Sequence, residues 1–124
     1  MKEIKFRAWD KTLNKIHSWS TIENHFTLEE LLDDNFFEAM QYTGLKDKYG
    51  TEIYDGDYIR YSMRTINGST YTHVCRVFQH ESGTWRIEGY HEDNHSYETK
   101  GTVYAAHLIC EVIGNIYENP ELVK

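Results

Sequence analysis

The sequence predicts a mainly β fold of the α+β kind, with one short helix near the start. Three observations carry that prediction. Short runs of alternating apolar and polar residues recur along the chain, separated by glycine-based turns. Aromatic residues make up 15% of the 124 residues, ten of them Tyr, a composition that suits pleated surfaces. A single Pro, Pro120, leaves few breaks and argues against a disordered adaptor.

The elements follow in order. Ile4, Phe6 and Ala8 alternate with Lys5, Arg7 and Trp9, which is strand periodicity. Asp10 to Asn14 supplies turn chemistry, so Ile4–Trp19 reads as a hairpin returning through Lys15 to Trp19. Thr27 and Glu30 form a capping box, with Phe26 and Leu31 placed as a hydrophobic staple. They predict a helix of about two turns with Leu28, Leu31 and Leu32 on one face. It ends at Asp33-Asp34-Asn35, and Phe36 to Tyr42 reads as a strand.

The block Met40–Tyr61 holds three turn signals. Gly44 accepts a positive φ. Asp47 to Gly50 suits a type I turn. Asp55-Gly56 is a tight-turn dipeptide feeding a strand from Tyr58 to Met63. Small SH3-like barrels often start their first core strand after such a turn, an analogy that bears on architecture alone. Asn67-Gly68 then turns into Tyr71–Gln79, and Glu81-Ser82-Gly83 into Thr84–Gly89. The polar stretch His91–Gly101 reads as a loop, and strands Thr102–His107 and Cys110–Tyr117 close the chain. The expected organisation is an N-terminal hairpin and helix over 1–39, an SH3-like β-barrel core over 40–118 and a tail over 119–124.

Charge and cysteine usage narrow the function. The formal net charge is −7, which opposes a phosphate backbone, although Lys2, Lys5, Arg7, Lys11 and Lys15 cluster near the start. No apolar run approaches the length of a membrane span, and the start has no apolar leader segment. A cytoplasmic protein away from membranes is expected. Cys75 and Cys110 lack a CxxC pairing and read as buried free thiols in strands.

Four constellations hold residue types that can carry chemistry. His91-Glu92-Asp93-Asn94-His95 matches the H-E-x-x-H letters of zinc hydrolases, which need a helix to set both His on one face. Asp93 and Asn94 are poor helix residues and Gly89 lies just upstream, so a chance match in a loop is the stronger reading. A metal-dependent hydrolase through His91, Glu92 and His95 stays the weakest alternative. His73, His80, His107 and Cys75 read as strand residues on mixed faces, and Glu52, Asp55 and Asp57 as turn acids. Trp9, Trp19, Tyr58 and Tyr61 with Arg60 and Arg64 supply the parts of a base-stacking face, making nucleic-acid binding the main alternative. No P-loop, dinucleotide fingerprint or Gly-x-Ser-x-Gly occurs. No catalytic residue, cofactor or metal ligand is assigned.

Three segments resemble the YopX-like family of phage and prophage proteins from Gram-positive bacteria. They are Ile4-Lys5-Phe6-Arg7-Ala8-Trp9-Asp10, Met40 to Asp47 with Gly50, Glu52-Ile53-Tyr54 and Gly56-Asp57, and Val112 to Glu121. Tyr49 departs from the small polar residue usual in the family, while Gly50 keeps the turn. The resemblance implies an oligomeric, SH3-barrel-like protein of phage origin in the host cytoplasm, with no assigned catalysis. The expected protein is thus a non-enzymatic module that forms a homo-oligomer and binds a phage or host protein.

Overall fold

The computed structural model describes residues 3–64, 66–90 and 96–123. It is mainly β, with two antiparallel sheets. Among the described residues no helix is long and apolar enough to cross a membrane.

The first sheet contains β1 (Phe6–Asp10), β2 (Lys15–His17), β3 (Phe37–Lys46) and β4 (Glu52–Tyr54), in the order β2-β1-β3-β4. The expected N-terminal hairpin is present, but β2 stops at His17 and not at Trp19. The cause is a helix start that the hairpin reading overlooked. Ser18 takes an extended backbone, and its Oγ accepts from the Thr21 N–H at 3.4 Å. Helix α1 (Trp19–His25) follows and buries Ile22, while Trp19 packs beside Phe6 with ring centroids 6.0 Å apart.

Helix α2 (Leu28–Leu31) is the one the capping box announces. The Thr27 Oγ1 accepts from the Glu30 N–H at 3.1 Å, and the Glu30 Oε1 accepts from the Thr27 N–H at 3.2 Å. It makes one turn where two were expected. A single turn offers one inward position, so Leu31 is buried with Phe26 packed on its cluster, while Leu28 and Leu32 stay exposed.

Strand β3 runs through position 39/40, where the sequence placed a domain boundary, and continues to Lys46. Gly44 has φ 87° inside this strand, where the register against β4 shifts. It therefore forms an irregularity within the strand and not its end. The expected turn at Asp47 is present, with the Gly50 N–H donating to the Asp47 carbonyl at 3.0 Å.

The Asp55-Gly56 turn has a larger role than joining neighbours. β4 pairs back onto β3, whereas β5 (Asp57–Arg64) opens the second sheet. Gly56, at φ 83°, donates to the Val77 carbonyl at 2.9 Å and accepts from the Ile116 N–H at 3.0 Å. A Cβ there would lie 3.4 Å from the Ile116 side chain, so glycine suits both the angle and the close approach.

The second sheet contains β5, β6 (Thr70–Gln79), β7 (Trp85–Tyr90), β8 (Ser96–Thr102) and β9 (Glu111–Asn115), in the order β8-β7-β6-β5-β9. Two expectations fail here. The loop expected over His91–Gly101 holds strand β8 from Ser96 onward, paired with β7; an edge strand tolerates polar residues because one side of it faces water. The strand expected over Thr102–His107 is instead helix α3 (Val103–Ala106). The Thr102 hydroxyl accepts from the Ala105 N–H at 3.1 Å, and Val103 and Ala106, three apart, share the buried face. The main core packs Ile53, Ile59, Cys75, Val77, Ile87, Val103, Ala106 and Cys110 together. Both cysteines are free and buried, as the sequence reading has them, although Cys110 precedes β9 and lies outside any strand.

Candidate functional site

Side chains from all three signature segments meet where the two sheets join. Arg7 of β1 forms an ion pair with Asp57 at the start of β5. Asp57 is fully buried, and its second carboxylate oxygen accepts from the Tyr54 N–H at 2.8 Å. The Arg7 guanidinium also lies 4.6 Å from the Tyr54 ring centroid. Burial pushes the Asp57 carboxyl up to about 6, against the opposing pull of Arg7 and the Tyr54 N–H.

Asp47 ties the turn after β3 to the last strand. One of its oxygens accepts from the Tyr49 and Thr51 N–H groups, both at 2.9 Å, and the other from the Val112 N–H at 2.8 Å. Trp9 stacks on Tyr117 with centroids 5.7 Å apart. Asn115 accepts from the Tyr117 and Glu118 N–H groups at 3.0 and 2.8 Å. Within the first sheet, His17 and Asp10 form a buried pair at 2.8 Å. That bond, with the Leu13 and Thr12 N–H groups, holds the Asp10 carboxyl below its ordinary value. Asp10, Asp47 and Asp57 thus each serve two or more internal partners. Asp10 clamps the β1–β2 hairpin, while Asp47 and Asp57 tie the two sheets together.

The other residues singled out from the sequence are scattered. Glu52 pairs with Lys5 and Asp57 with Arg7, while burial raises the Asp55 carboxyl against the opposing pull of Arg76 and Arg7, so each of these acids is set against a cation of the fold. His73 stacks on Tyr61, His80 accepts from the Ser82 N–H, His107 faces the Lys46 carbonyl and Cys75 lies in the core. No group of three or more His, Cys, Asp or Glu suited to a metal occurs among the described residues. His91, Glu92 and His95 lie outside the described residues. The base-stacking set does not share a face. Trp9 and Trp19 belong to the first half, Tyr58 is buried, and Arg60 is paired with Glu111.

Two surfaces are new to the structure. The first is the outer part of the β5–β6 hairpin. β9 accompanies β5 only as far as Arg60, and β7 accompanies β6 only from Cys75. Between them the pairs Tyr61↔His73 to Arg64↔Thr70 stand as a two-stranded arm among the described residues, about 14 Å long at ~3.4 Å per residue. Ser62, Met63, Arg64 and Thr72 are exposed, so both faces of the arm meet solvent, and Ile66 at its tip is fully exposed. An apolar Ile beside the Asn67-Gly68 turn was the signal in the sequence. The second surface is a cleft of about 530 Å³ beside α2, lined by Leu13, Phe26, Phe36 and Phe37 with Glu30 and Asp33. Another hollow, of about 510 Å³, lies over Lys5, Arg7 and Tyr54, but its two cations are already paired with Glu52 and Asp57.

A model of the YopX protein family matches residues 5–124. The chain belongs to the YopX family. The crystal structure of protein EF1440 from Enterococcus faecalis is similar to this YopX-family chain, with a TM-score of 0.63 and 23% identity over 100% of both chains. At that identity the likeness shows a shared fold. No curated protein matches the sequence. In this YopX-family chain the segments carrying the family resemblance are those that build the joint between the sheets.

Proposed function

We propose that this YopX-family chain is a phage- or prophage-encoded, non-enzymatic interaction module that works in the bacterial cytoplasm by self-association. The observation that carries the reading is the outer β5–β6 arm. A hairpin exposed on both faces is marginal in water by itself, and its exposed apolar tip, Met63 and Ile66, favours contact with another chain. The absence of enzymatic activity is supported by the use of Asp10, Asp47 and Asp57 as internal ties. An SH3-like core is supported by the strand order, in which β9 returns beside β5 after the one-turn helix α3. That is an argument about architecture.

Light scattering across a concentration series tests the reading. The wild-type chain is expected to exceed its single-chain mass of 14.7 kDa. The double variant Met63→Ser with Ile66→Ser is expected to shift to the single-chain mass while keeping its circular dichroism. A wild type that stays at one chain at every concentration overturns the proposal.

A further inference from the structure

The arm needs a receiving surface, and the charge pattern singles one out. From Tyr58 to His80 the chain has Arg60, Arg64 and Arg76 and no Asp or Glu. Arg60 and Arg76 sit at the base, paired with Glu111 and Glu88. Arg64 stands exposed at the outer end, next to exposed Met63 and two residues from Ile66. The tip is therefore apolar and basic.

The cleft beside α2 has the opposite character. From Glu29 to Glu38 the chain has five acids and no Lys or Arg. Lys11 takes up Glu38 at 2.9 Å, and of the other four acids Glu30 and Asp33 line the cleft. Its floor is apolar, and Leu13 and Phe36 on its wall are 60% and 53% exposed. Leu28 and Leu32, on α2 and at its end, are exposed as well. Scattered exposed apolar residues are ordinary, whereas a contiguous patch rimmed by polar groups marks an interaction site. A volume of about 530 Å³ falls within the roughly 300–1,000 Å³ of pockets that enclose small ligands. It has room for an Ile side chain with part of a neighbouring Met.

We infer that the acid-rimmed apolar cleft beside α2 receives the tip residues Met63, Arg64 and Ile66 of the β5–β6 arm from a second copy of this chain. The inference rests on the self-association reading and specifies its geometry. Ile66 fills the apolar floor, and Arg64 meets Glu30 and Asp33 on the rim. Arm and cleft are different surfaces of one chain, so the contact is heterologous. Repeated head to tail, it closes into a ring or runs on as an open chain.

A complementation experiment tests it. One variant disables the arm, Arg64→Glu with Ile66→Glu. The other disables the cleft, Leu13→Lys with Asp33→Lys. Each alone is expected to scatter as a single chain of 14.7 kDa. Mixed in equal amounts they are expected to form two-chain complexes, because the intact arm of one variant meets the intact cleft of the other. Circular dichroism and thermal melting check that each variant folds. Should the cleft variant melt early, Leu13→Lys alone, at an exposed position on the cleft wall, takes its place. If the arm variant dissociates but the cleft variants assemble like wild type, the arm pairs elsewhere and the inference fails while self-association stands. Absence of two-chain complexes in the mixture also overturns the inference. A wild type that is a single chain overturns the underlying reading itself.

Discussion

Removing the Asp47 carboxylate is expected to loosen the link between the β3 turn and β9. The side chain is 7% exposed and holds three backbone N–H groups. Two of them, on Tyr49 and Thr51, belong to exposed residues, so in Asp47→Ala water takes over at a cost of roughly 0.5–1 kcal/mol each. The third, on Val112, sits against the main core. Losing its charged acceptor costs about 2 kcal/mol. Asp47→Ala is therefore expected to lose about 3–4 kcal/mol in total. Asp47→Asn separates the contributions. Its amide oxygen serves the Tyr49 and Thr51 N–H groups, but its NH₂ then faces the Val112 N–H, donor against donor. The loss should be about 2 kcal/mol and should concentrate at Val112. Urea unfolding measures both losses, and hydrogen exchange reads the Val112 amide directly. An Asp47→Asn protein with the wild-type urea midpoint and unchanged Val112 protection would refute the reasoning.

Two further outcomes follow from the same physics. Arg7→Met strips the buried Asp57 of its cation, and at pH 7 is expected to cost about 3–5 kcal/mol, as breaking a buried pair does. The folded Asp57 carboxyl sits at about 6, above its ordinary 3.8, so its contribution to stability is fully present below about pH 4 and declines as pH rises through 6. Loss of Arg7 raises that carboxyl further, so the penalty should be smaller at pH 5 than at pH 7; equal losses in urea unfolding at both would contradict this. Burial pushes the Cys75 and Cys110 thiols up to about 11. The folded chain should therefore resist an aromatic disulfide reagent at pH 7.5 and release two thiols in urea, and prompt labelling without urea would count against the buried placement.

Local chemistry made much of the fold legible. The Thr27–Glu30 capping box, the Asp47–Gly50 turn and the hairpin at Asn67-Gly68 depend on neighbours in sequence and stand where those neighbours put them. The misses arose where distant partners decide. Ser96–Gly101 is polar enough to read as a loop, and pairing with β7 makes it a strand. Val103–Ala106 alternates well enough to read as a strand, but the Thr102 cap and the core behind Val103 make it a helix. Helix α1 was hidden because Ser18-Trp19 also continues the alternation of the preceding strand. The joint was invisible for a similar reason. Arg7 and Asp57 lie 50 residues apart, and Asp47 and Val112 lie 65 apart, so neither partner announces the other. The arm shows only in the ladder, where among the described residues β9 and β7 pair with the base of the hairpin.

The placement of β9 bears on how the chain folds during synthesis. β1, β2 and β3 contact one another through near neighbours, and they emerge from the ribosome early. β9 emerges last, yet it flanks β5, supplies the Val112 N–H to Asp47 and leads into the Tyr117 that stacks on Trp9. Contacts of such long sequence separation form slowly, because loop closure must precede them. The nascent chain therefore carries an unfinished second sheet, with one side of β5 open, until its last strand is released. In that interval the open edge is the one most exposed to mispairing with other chains.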